Sequence, residues 1–356
     1  MSQPDISKYL ITESTSIKDA MKQSDISGSK ILFVTDHEHF FIGSLSDGDI
    51  RRSILSDGIL DKAVIDICNK KPFTVSESYD LEDVKTLMLE MQLDCIPVID
   101  ALNKVKELLF WNTVLGTDKK KEKKEKITSP IVIMAGGKGT RLAPFTNILP
   151  KPLIPIGNKT VLEIIMDKFK EHDVDKFYLT VNYKSRIIKF YLEELMPELK
   201  VEFVDEDKPL GTAGSLKLLH GKINECFIVT NCDIIIDADY AELLNYHKSK
   251  DNDISMVVSL KHYKIPYGIC NIENGDNLVS ITEKPEFSYF INTGMYVLKP
   301  EVLELIPDNQ FYHITDLIEE VKARGGKVGT YPISEKAWVD TGEWEEYKKA
   351  IRLFDV

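Results

Sequence analysis

The segment that decides the fold reads IVIMAGGKGTRLAP over residues 131–144, and LPKPLIP follows it at residues 149–155. Residues 131–135 are all apolar, which predicts a parallel strand buried on both faces. A glycine-rich turn comes next and leads to the cation Arg141. Glycines let the backbone approach anionic oxygen atoms closely, and N–H groups and a guanidinium supply positive charge. The segment therefore predicts a phosphate site directly after a buried strand.

The spacing of this loop excludes two more common phosphate loops. It is not G-x-x-x-x-G-K-[ST], because Lys138 lies among the glycines, and it is not G-x-G-x-x-G, because Leu142 stands at the third glycine position. The whole string, G-G-x-G-T-R-L followed by P-K-P-L, resembles the signature of the sugar-1-phosphate nucleotidyltransferases. The resemblance covers residues 131–350, with the family's motifs in their usual order.

Length and composition narrow the class of protein. The chain has 356 residues, enough for roughly two domains at ~150 residues each. Its net charge, 45 − 57 = −12, argues against a general nucleic-acid or membrane-surface binder, so cations for an anionic substrate must be concentrated locally. The five cysteines form no C-x-x-C pair and are interpreted as reduced thiols. Without an apolar signal segment or a run of ~18 apolar residues, we expect a cytoplasmic protein.

Residues 1–116 consist of two similar halves at a spacing of ~60 residues, each predicted to run strand, helix, strand, strand, helix. The pattern resembles a tandem pair of CBS domains, an α+β regulatory unit that commonly binds adenine nucleotides and dimerises. Gly43, Ser46 and Asp49 match the family's G-x-x-[ST]-x-x-D motif, whereas the second half lacks the corresponding carboxylate. The resemblance implies an adenine nucleotide near Ser46 and Asp49 and a homodimer. A packing module without a ligand is the alternative.

A charged stretch, DKKKEKKEK at residues 118–126, lies within a predicted linker at residues 117–129. Such runs are usually solvated tethers, and the interspersed glutamates argue against nucleic-acid binding. From residue 130 to residue 356, strand and helix patterns alternate. The alternation predicts an α/β catalytic domain, Rossmann-like and three-layered, with a mostly parallel sheet and ligands at the carboxyl ends of the strands.

The resemblance implies nucleotidyl transfer: a phosphate oxygen of a sugar 1-phosphate attacks the α-phosphorus of a nucleoside triphosphate, and pyrophosphate leaves. The nucleophile is already an anion, so the reaction needs positioning and charge neutralisation but no general base. The catalytic residues implied are Arg141, Lys151, Asp233 and Lys284. The nucleotide-binding residues implied are Ala135, Gly136, Gly137, Gly139, Thr140, Arg141, Glu206, Gly211, Thr212 and Asp233.

The segment EDKPLGTAG at residues 206–214 resembles the family's base-binding segment. We expect glycine at positions 211 and 214 to let the backbone approach a planar base closely. For the sugar phosphate, the motifs at residues 267–268, 283–285 and 291–296 imply contacts by Gly268, Glu283, Lys284, Asn292 and Thr293.

Two carboxylates are implied as magnesium ligands. Asp233 ends the segment FIVTNCD at residues 227–233, which is the place for a metal ligand in an α/β fold. Asp340 lies in WVDTG at residues 338–342, which resembles the family's W-x-D-x-G motif. Two carboxylates and two phosphates around Mg²⁺ form the expected coordination. An Asp233 that only caps the following helix is the alternative.

The domain order, a CBS pair before the transferase, most resembles the guanylyltransferases of bacterial surface-sugar pathways, including the glucosamine-1-phosphate guanylyltransferase of legionaminic acid synthesis. We therefore expect GTP and glucosamine 1-phosphate as substrates. Mannose or heptose 1-phosphate with GTP, and uridylyl or cytidylyl transfer, are alternatives. A protein of another class, an inactive subunit that senses nucleotides, predicts erosion of the charged residues, yet Arg141, Lys151, Asp233, Lys284 and Asp340 are all present.

Overall fold

The computed structural model of the chain describes residues 5–91, 93–114, 124–333 and 335–354. The chain divides into two compact units, Met1–Glu122 with His262–Phe287, and Lys123–Lys261 with Ser288–Val356. Of the predicted linker, residues 117–123 lie outside the described residues. In the described ranges, none of the helices combines the length and the apolar character that crossing a membrane requires.

The first unit contains two copies of one supersecondary structure. The first copy consists of β1 (Leu10–Thr12), α1 (Ile17–Ser27), β2 (Ile31–Thr35), β3 (Phe41–Ser46) and α2 (Asp47–Asp57). The second consists of β4 (Val75–Ser76), α3 (Leu81–Met91), β5 (Cys95–Ile99), β6 (Val105–Phe110) and α4 (Trp111–Val114). In each copy the first two strands are parallel and the last two are antiparallel. The predicted duplication is therefore confirmed.

The hairpin turns of the two copies correspond residue by residue. Asp36 accepts hydrogen bonds from the backbone N–H groups of residues 38 and 40, and Asp100 accepts them from residues 102 and 104. His39 and Asn103 both have positive φ, 68° and 61°. An aspartate that binds the backbone two residues on is a standard device for a tight turn. The offset between the copies is thus 100 − 36 = 64 residues.

The elements from residue 131 onward alternate between strand and helix over much of this part of the chain, but four strands, β14 to β17, follow one another directly. The strands are β7 (Ile131–Ala135), β8 (Pro155–Ile156), β9 (Lys159–Thr160), β10 (Lys176–Val181), β11 (Lys200–Asp205), β12 (Phe227–Asn231), β13 (Ile234–Ile236), β14 (Ile254–Lys264), β15 (Ile269–Glu273), β16 (Asn277–Thr282), β17 (Glu286–Leu298), β18 (Val328–Ile333) and β19 (Trp338–Asp340). The helices are α5 (Phe145–Ile148), α6 (Val161–Lys170), α7 (Ser185–Leu195), α8 (Gly211–Gly214), α9 (Tyr240–Ser249), α10 (Ile314–Ala323) and α11 (Trp344–Phe354). Strands β15 and β16 form a hairpin in the part of the chain that belongs to the first unit.

The large sheet of the second unit has a hydrophobic core on each face. Its strand order is β11-β10-β7-β12-β17-β14-β18. Strands β11, β10, β7 and β12 run parallel, as do β14 and β18, while β17 is antiparallel to β12. Ile131, Ile133 and Ala135 of β7 belong to one apolar cluster, and Val132 and Met134 belong to the other. A strand that contributes to two cores is buried on both faces, which confirms the three-layer α/β arrangement with a mostly parallel sheet.

Helix α6 illustrates how local chemistry and packing agree. Thr160 Oγ1 accepts a hydrogen bond from Glu163 N, and Glu163 Oε2 accepts one from Thr160 N, which forms a capping box. Val161, Ile165 and Phe169, spaced four residues apart, are all buried. The cap fixes where the helix begins, and this apolar stripe fixes the face that packs against the sheet.

The end of the predicted linker is docked onto the second unit. Ile127 is 5% exposed, and its N–H donates to His172 O at 3.1 Å. Nδ1 of the fully buried His172 lies 2.8 Å from Glu125 O, and Lys124 pairs with Glu171 at 2.9 Å. The expectation of a solvated tether at residues 118–126 therefore does not hold for Lys124 and Glu125, because an ion pair and a contact with His172 attach them to the second unit before β7 begins.

Candidate active site

The carboxyl ends of four parallel strands meet at one edge of the large sheet. Strands β11, β10, β7 and β12 end there, and a cavity of about 330 Å³ lies beside them. Nine of the residues implied by the resemblance line this cavity: Gly136, Gly137, Gly139, Arg141, Lys151, Glu206, Gly211, Thr212 and Asp233. Ala135 is the buried last residue of β7, and Thr140 begins a short 3-10 turn. The sheet topology thus collects segments that are far apart in the sequence.

Glu206 is fixed beside the glycine-rich loop. An ideal Cβ atom at Gly136 would overlap the Glu206 carboxylate, so glycine leaves the room that this side chain occupies. Oε2 of Glu206 accepts a hydrogen bond from Leu210 N at 3.2 Å, and its backbone carbonyl accepts one from Asn182 Nδ2 at 2.6 Å. Burial raises the pKa of the Glu206 carboxyl. The side chain is therefore a half-buried, positioned acceptor at one end of the cavity.

Lys151, Asp233 and Asp340 converge on one point. Lys151 Nζ forms an ion pair and a hydrogen bond with Asp233 Oδ2. An ideal Cβ atom at Gly342 would lie 2.5 Å from Asp233 Oδ2, 2.9 Å from Asp340 Oδ1 and 3.0 Å from Lys151 Nζ. The side chains of Lys151 and Asp233 are each only 11% exposed. Their mutual attraction offsets the cost of removing both charges from water.

A two-stranded ladder brings the two aspartates together from distant parts of the chain. Strands β13 and β19 are antiparallel, with Ile234 opposite Asp340. Beside this pair, the N–H and the hydroxyl of Thr341 both donate to Asp233 O, each at 2.8 Å. Burial raises the pKa of Asp340; the nearby Asp233 adds to the shift, and the Gly342 N–H, which donates to Asp340 at 2.7 Å, opposes it. The β13–β19 ladder and the hydroxyl of Thr341 therefore set the two carboxylates side by side.

This pair of carboxylates fits a hard divalent cation. Carboxylate oxygens are ligands that Mg²⁺ prefers, and Mg²⁺ commonly takes further ligands from substrate phosphates and water. The ammonium group of Lys151 at Asp233 shows that the position stabilises a cation. Within the described ranges, no group of three or more His, Cys, Asp or Glu side chains is arranged to hold a metal ion. A metal held by Asp233 and Asp340 would take its further ligands from water or from substrate phosphates.

Arg141 lies on the solvent side of the cavity. Its Nη1 donates to Glu343 Oε1 at 2.7 Å, and the two side chains are 60% and 57% exposed. An exposed ion pair of this kind contributes about 0–1 kcal/mol to stability. Because the pair is weak, another anion can replace Glu343 as the partner of Arg141 at little cost.

Another part of the chain occupies the space at Gly211 and Gly214. Ideal Cβ atoms there would lie 2.6 Å from Tyr312 O and 2.6 Å from Gln310 O, respectively. Ala213 N and Gly214 N donate to Tyr312 O at 3.0 Å, and Tyr312 N donates to Leu210 O at 2.9 Å. The glycines therefore make room for residues 310–314, which we call the strap. Because Gly211 also lines the cavity, the expected approach of its backbone to a base stays a prediction.

The side chain of Thr212 also binds the strap. Its Oγ1 accepts a hydrogen bond from Ile314 N at 2.9 Å. The hydroxyl of Thr212 therefore holds the start of α10, and any contact with a nucleotide would come in addition to this role.

Asn292 and Thr293 lie on β17 and are the two residues there that the resemblance implies as sugar contacts. Their side chains differ in exposure. Asn292 is exposed, and its side chain donates to Tyr296 OH at 2.7 Å and accepts from Gly294 N at 3.0 Å. Thr293 is 2% exposed, and its hydroxyl donates to Val257 O at 2.8 Å. The Thr293 side chain thus binds the backbone of β14, a structural role that the sequence motif did not predict.

The other implied sugar-side residues, Gly268, Glu283 and Lys284, belong to the segment His262–Phe287 of the first unit. All three are exposed and lie near one another. An ideal Cβ atom at Gly268 would be 2.9 Å from Glu283 Oε2, and Lys284 Nζ is 4.0 Å from Glu283 Oε1. They form a compact polar group within their own unit.

Ser46 and Asp49 form the capping box at the start of α2. The N–H and the hydroxyl of Ser46 donate to Asp49 Oδ2 at 2.9 and 2.7 Å, and Arg52 Nη2 donates to Asp49 Oδ1 at 2.5 Å. These bonds stabilise the first turn of the helix. An adenine nucleotide at this position stays a prediction.

Sequence reasoning missed Phe311, which lines the cavity, and Glu343, which pairs with Arg141. Phe311 lies in the stretch NQFYH at residues 309–313, where two aromatic residues follow polar ones in a loop. Aromatic side chains in a loop of this kind are a signal for a binding surface. Glu343 directly follows the W-x-D-x-G motif, but a glutamate in that place carries no specific signal.

Comparison with known proteins agrees with this geometry. Residues 131–354 match the model of the nucleotidyl transferase family, and residues 64–108 match the model of the CBS domain. The chain therefore belongs to the nucleotidyl transferase family and also carries a CBS domain.

The relatives differ in the base and sugar that their names give. The chain is 31% identical over 232 residues to mannose-1-phosphate guanylyltransferase 1 of Arabidopsis thaliana, covering 63% of this chain and 64% of the relative. It is 29% identical over 242 residues to the UTP–glucose-1-phosphate uridylyltransferase of Synechocystis, covering 62% of each. The crystal structure of HddC from Yersinia pseudotuberculosis complexed with GMP-PN is similar with a TM-score of 0.51 and 27% identity, covering 64% of this chain and 99% of that one. The chain thus spans 62–64% of the length of these two curated relatives.

We expect Gly211→Ala to destabilise the second unit, because φ at Gly211 is +80° and the added Cβ would meet the strap backbone. Strain and overpacking of this size should lower the Tm by roughly 4 °C or more. Differential scanning fluorimetry measures the change. Gly137→Ala is the matched control, because a Cβ at Gly137 meets no atom within 4 Å. Equal Tm values for the two variants would contradict the assigned packing of the strap.

Proposed function

We propose that the chain is a sugar-1-phosphate guanylyltransferase, which converts GTP and a sugar 1-phosphate into a GDP-sugar and pyrophosphate with Mg²⁺. The observation that carries this proposal is the convergence of Lys151, Asp233 and Asp340 beside the glycine-rich loop. Joining two phosphates requires concentrated positive charge at the point of reaction. An acidic chain that gathers a lysine, an arginine and a two-carboxylate cation site around one cavity meets that requirement.

The chemistry fits the side chains of the cavity. A phosphate oxygen of the sugar 1-phosphate forms a bond to the α-phosphorus, the bond from that phosphorus to the bridging β-oxygen breaks, and no proton is transferred. Among the described residues that line the cavity there is no histidine, and none is needed. Cys232 also lines the cavity, but burial raises the pKa of its thiol to about 12, which argues against a nucleophilic role.

Lys151 would change partners when the substrates bind. In the structure its ammonium group neutralises Asp233. A bound metal at Asp233 and Asp340 would take over that neutralisation and supply further positive charge to the phosphates. Lys151, released from Asp233, would then bind the α-phosphate, while Arg141 would leave Glu343 for the outer phosphates. Each cation of the site would thus exchange a protein carboxylate for a substrate phosphate.

The proposal of GTP rests on Glu206. An ionised carboxylate only accepts hydrogen bonds. Guanine presents two neighbouring donors, N1–H and N2–H₂, on one edge, whereas uracil presents a single N–H between two carbonyl oxygens. A positioned carboxylate therefore suits guanine best. The guanylyltransferase name of the Arabidopsis relative and the GMP-PN in the HddC crystal structure support this choice.

For the sugar we propose glucosamine 1-phosphate, with mannose 1-phosphate and heptose 1-phosphate as alternatives. Glu283 and Lys284 are the proposed partners of its hydroxyl groups and its phosphate, because an exposed carboxylate and an exposed ammonium group supply both kinds of contact. We also propose that an adenine nucleotide bound to the CBS-containing unit regulates the enzyme and that the protein is a dimer.

Pyrophosphate release by the full-length protein with Mg²⁺ tests the proposal. Each of GTP, UTP, CTP, dTTP and ATP would be combined with glucosamine, mannose and glucose 1-phosphates. We expect the highest rate with GTP and glucosamine 1-phosphate. Faster turnover with another triphosphate would overturn the choice of guanine. If no pair of triphosphate and sugar 1-phosphate released pyrophosphate, the proposal of an enzyme would be wrong, and an inactive subunit that senses nucleotides would be favoured.

We expect Glu206→Gln to weaken the preference for GTP. The amide keeps the size of the side chain but replaces one acceptor oxygen with a donor, which faces a guanine donor instead of accepting from it. The ratio of kcat/KM for GTP to that for UTP should fall at least ~10-fold, the size of one lost polar contact in a buried site. Steady-state kinetics measure both values. An unchanged ratio would remove Glu206 from base recognition.

We expect Lys151→Met to raise the affinity of the protein for Mn²⁺ in the absence of nucleotide, while it lowers turnover at least ~100-fold. Without the ammonium group, two neighbouring carboxylates repel each other and attract a divalent cation more strongly. The dissociation constant for Mn²⁺, read from the electron paramagnetic resonance signal of the free ion, should fall at least ~10-fold.

Lys168→Met is the matched control for this variant. It removes another lysine that pairs with an aspartate, Asp237, at 2.8 Å, but it leaves the cavity intact. We expect no change in Mn²⁺ affinity for the control. If Lys151→Met binds Mn²⁺ no better than the control does, the exchange of lysine for metal at Asp233 is wrong.

A further inference from the structure

The strap holds an aromatic side chain at the cavity. Residues 310–314 are fastened to residues 210–214 by four hydrogen bonds, which involve backbone atoms on both sides and the hydroxyl of Thr212. Within the strap, His313 N donates to Asp316 Oδ2 at 2.9 Å in the first turn of α10. Hydrogen bonds therefore fix the strap to residues 210–214 and to the first turn of α10.

Phe311 is the strap residue whose side chain lines the cavity. Its ring is 61% exposed and contacts the ring of His313 edge to face, with a centroid distance of 4.8 Å and an interplanar angle of 84°. The residue before it and the residue after it place backbone atoms against Gly214 and Gly211. Phe311 is thus an apolar ring that the backbone presents to the cavity, although its own burial stabilises the fold little.

The strap places the ring of Phe311 near the end of the cavity where we propose that the base binds. Glu206 and Leu210 mark that end, and Tyr312 N binds the carbonyl of Leu210 at 2.9 Å. The phosphate end, with Lys151 and Asp233, is formed by other elements. A planar ligand whose edge is bound by Glu206 would therefore bring one of its faces towards the strap.

We propose that the ring of Phe311 covers one face of the nucleobase and so supplies a large part of the affinity for the nucleoside. This inference rests on the proposed function, because it requires a nucleotide in the cavity. Every base has a π-face, so stacking adds affinity with little discrimination by hydrogen bonding, and it is stronger for the larger purine ring. The strap fixes the backbone of Phe311, so less conformational freedom is lost when a base binds.

Calorimetric titration of the full-length protein with GTP and Mg²⁺, without sugar phosphate, tests the proposal. Phe311→Ala should raise the Kd for GTP by roughly 5- to 100-fold, the range found when one stacked aromatic ring is removed. The loss for UTP should be smaller. Phe311→Trp should restore most of the affinity, because it again offers a flat ring.

Inorganic triphosphate with Mg²⁺ separates stacking from damage to the site. Triphosphate has no base, so its Kd should be the same for the wild type and for Phe311→Ala. Phe190→Ala is the matched control, since Phe190 is 65% exposed on α7 and does not line the cavity. Equal GTP affinity of Phe311→Ala and the wild type, or an equal loss for triphosphate and GTP, would overturn the role of Phe311. If the wild type binds no nucleotide at all, the proposed function falls first.

Discussion

Asp233 and Asp340 lie side by side in a site that is largely shielded from water. Their closeness imposes a constraint, because a cation must neutralise the two negative charges. Two carboxylates at such a distance repel each other, and each alone is costly to bury. Lys151 meets the constraint in the structure through its ion pair with Asp233. The same constraint makes the position suitable for a divalent metal, because a metal and an ammonium group satisfy the same negative charge. Under the proposed function, binding of substrate and metal would thus exchange one cation at this position for another.

The fold enforces this constraint through backbone geometry. Asp233 follows the last strand of a parallel group, and Asp340 ends a short strand that pairs beside it. Lys151 comes from a third segment, where Pro150 and Pro152 restrict the backbone on either side. Since the ladder and the sheet are stabilised by their own hydrogen bonds and by two apolar cores, the energy that holds the charges together is drawn from the whole second unit. Repulsion between the aspartates is therefore tolerated locally.

The sequence was informative where function depends on local patterns. The apolar run at residues 131–135, the duplicated halves of the first unit and the alternation of strands and helices each predicted an observed feature. It was less informative where a residue contacts a part of the chain that is distant in the sequence. The sequence predicts that Gly211 lets the backbone approach a base, but it contains no sign that the strap, about a hundred residues further on, lies against the Cβ position of Gly211. Ile127 lies directly after a highly charged run, but its burial anchors the segment. Contacts between distant backbone segments leave no periodic signature, so Phe311 and the role of Thr293 emerge only in three dimensions.

Recognition of a base by its edge and by its face has different consequences, and under the proposed function both would depend on one piece of backbone. A carboxylate such as Glu206 discriminates between bases because a wrong edge leaves its oxygen atoms unpaired. A ring such as Phe311 adds affinity for any base. The segment at residues 206–214 would carry the edge contact, and it binds the strap, which would carry the face contact. Ile314 of the strap and Leu317 of α10 pack in the same apolar cluster as Val132 and Met134 of the strand before the glycine-rich loop. One shared core therefore positions the proposed base end and the proposed phosphate end, and it would present a nucleotide held at one end in a fixed register to the charges at the other.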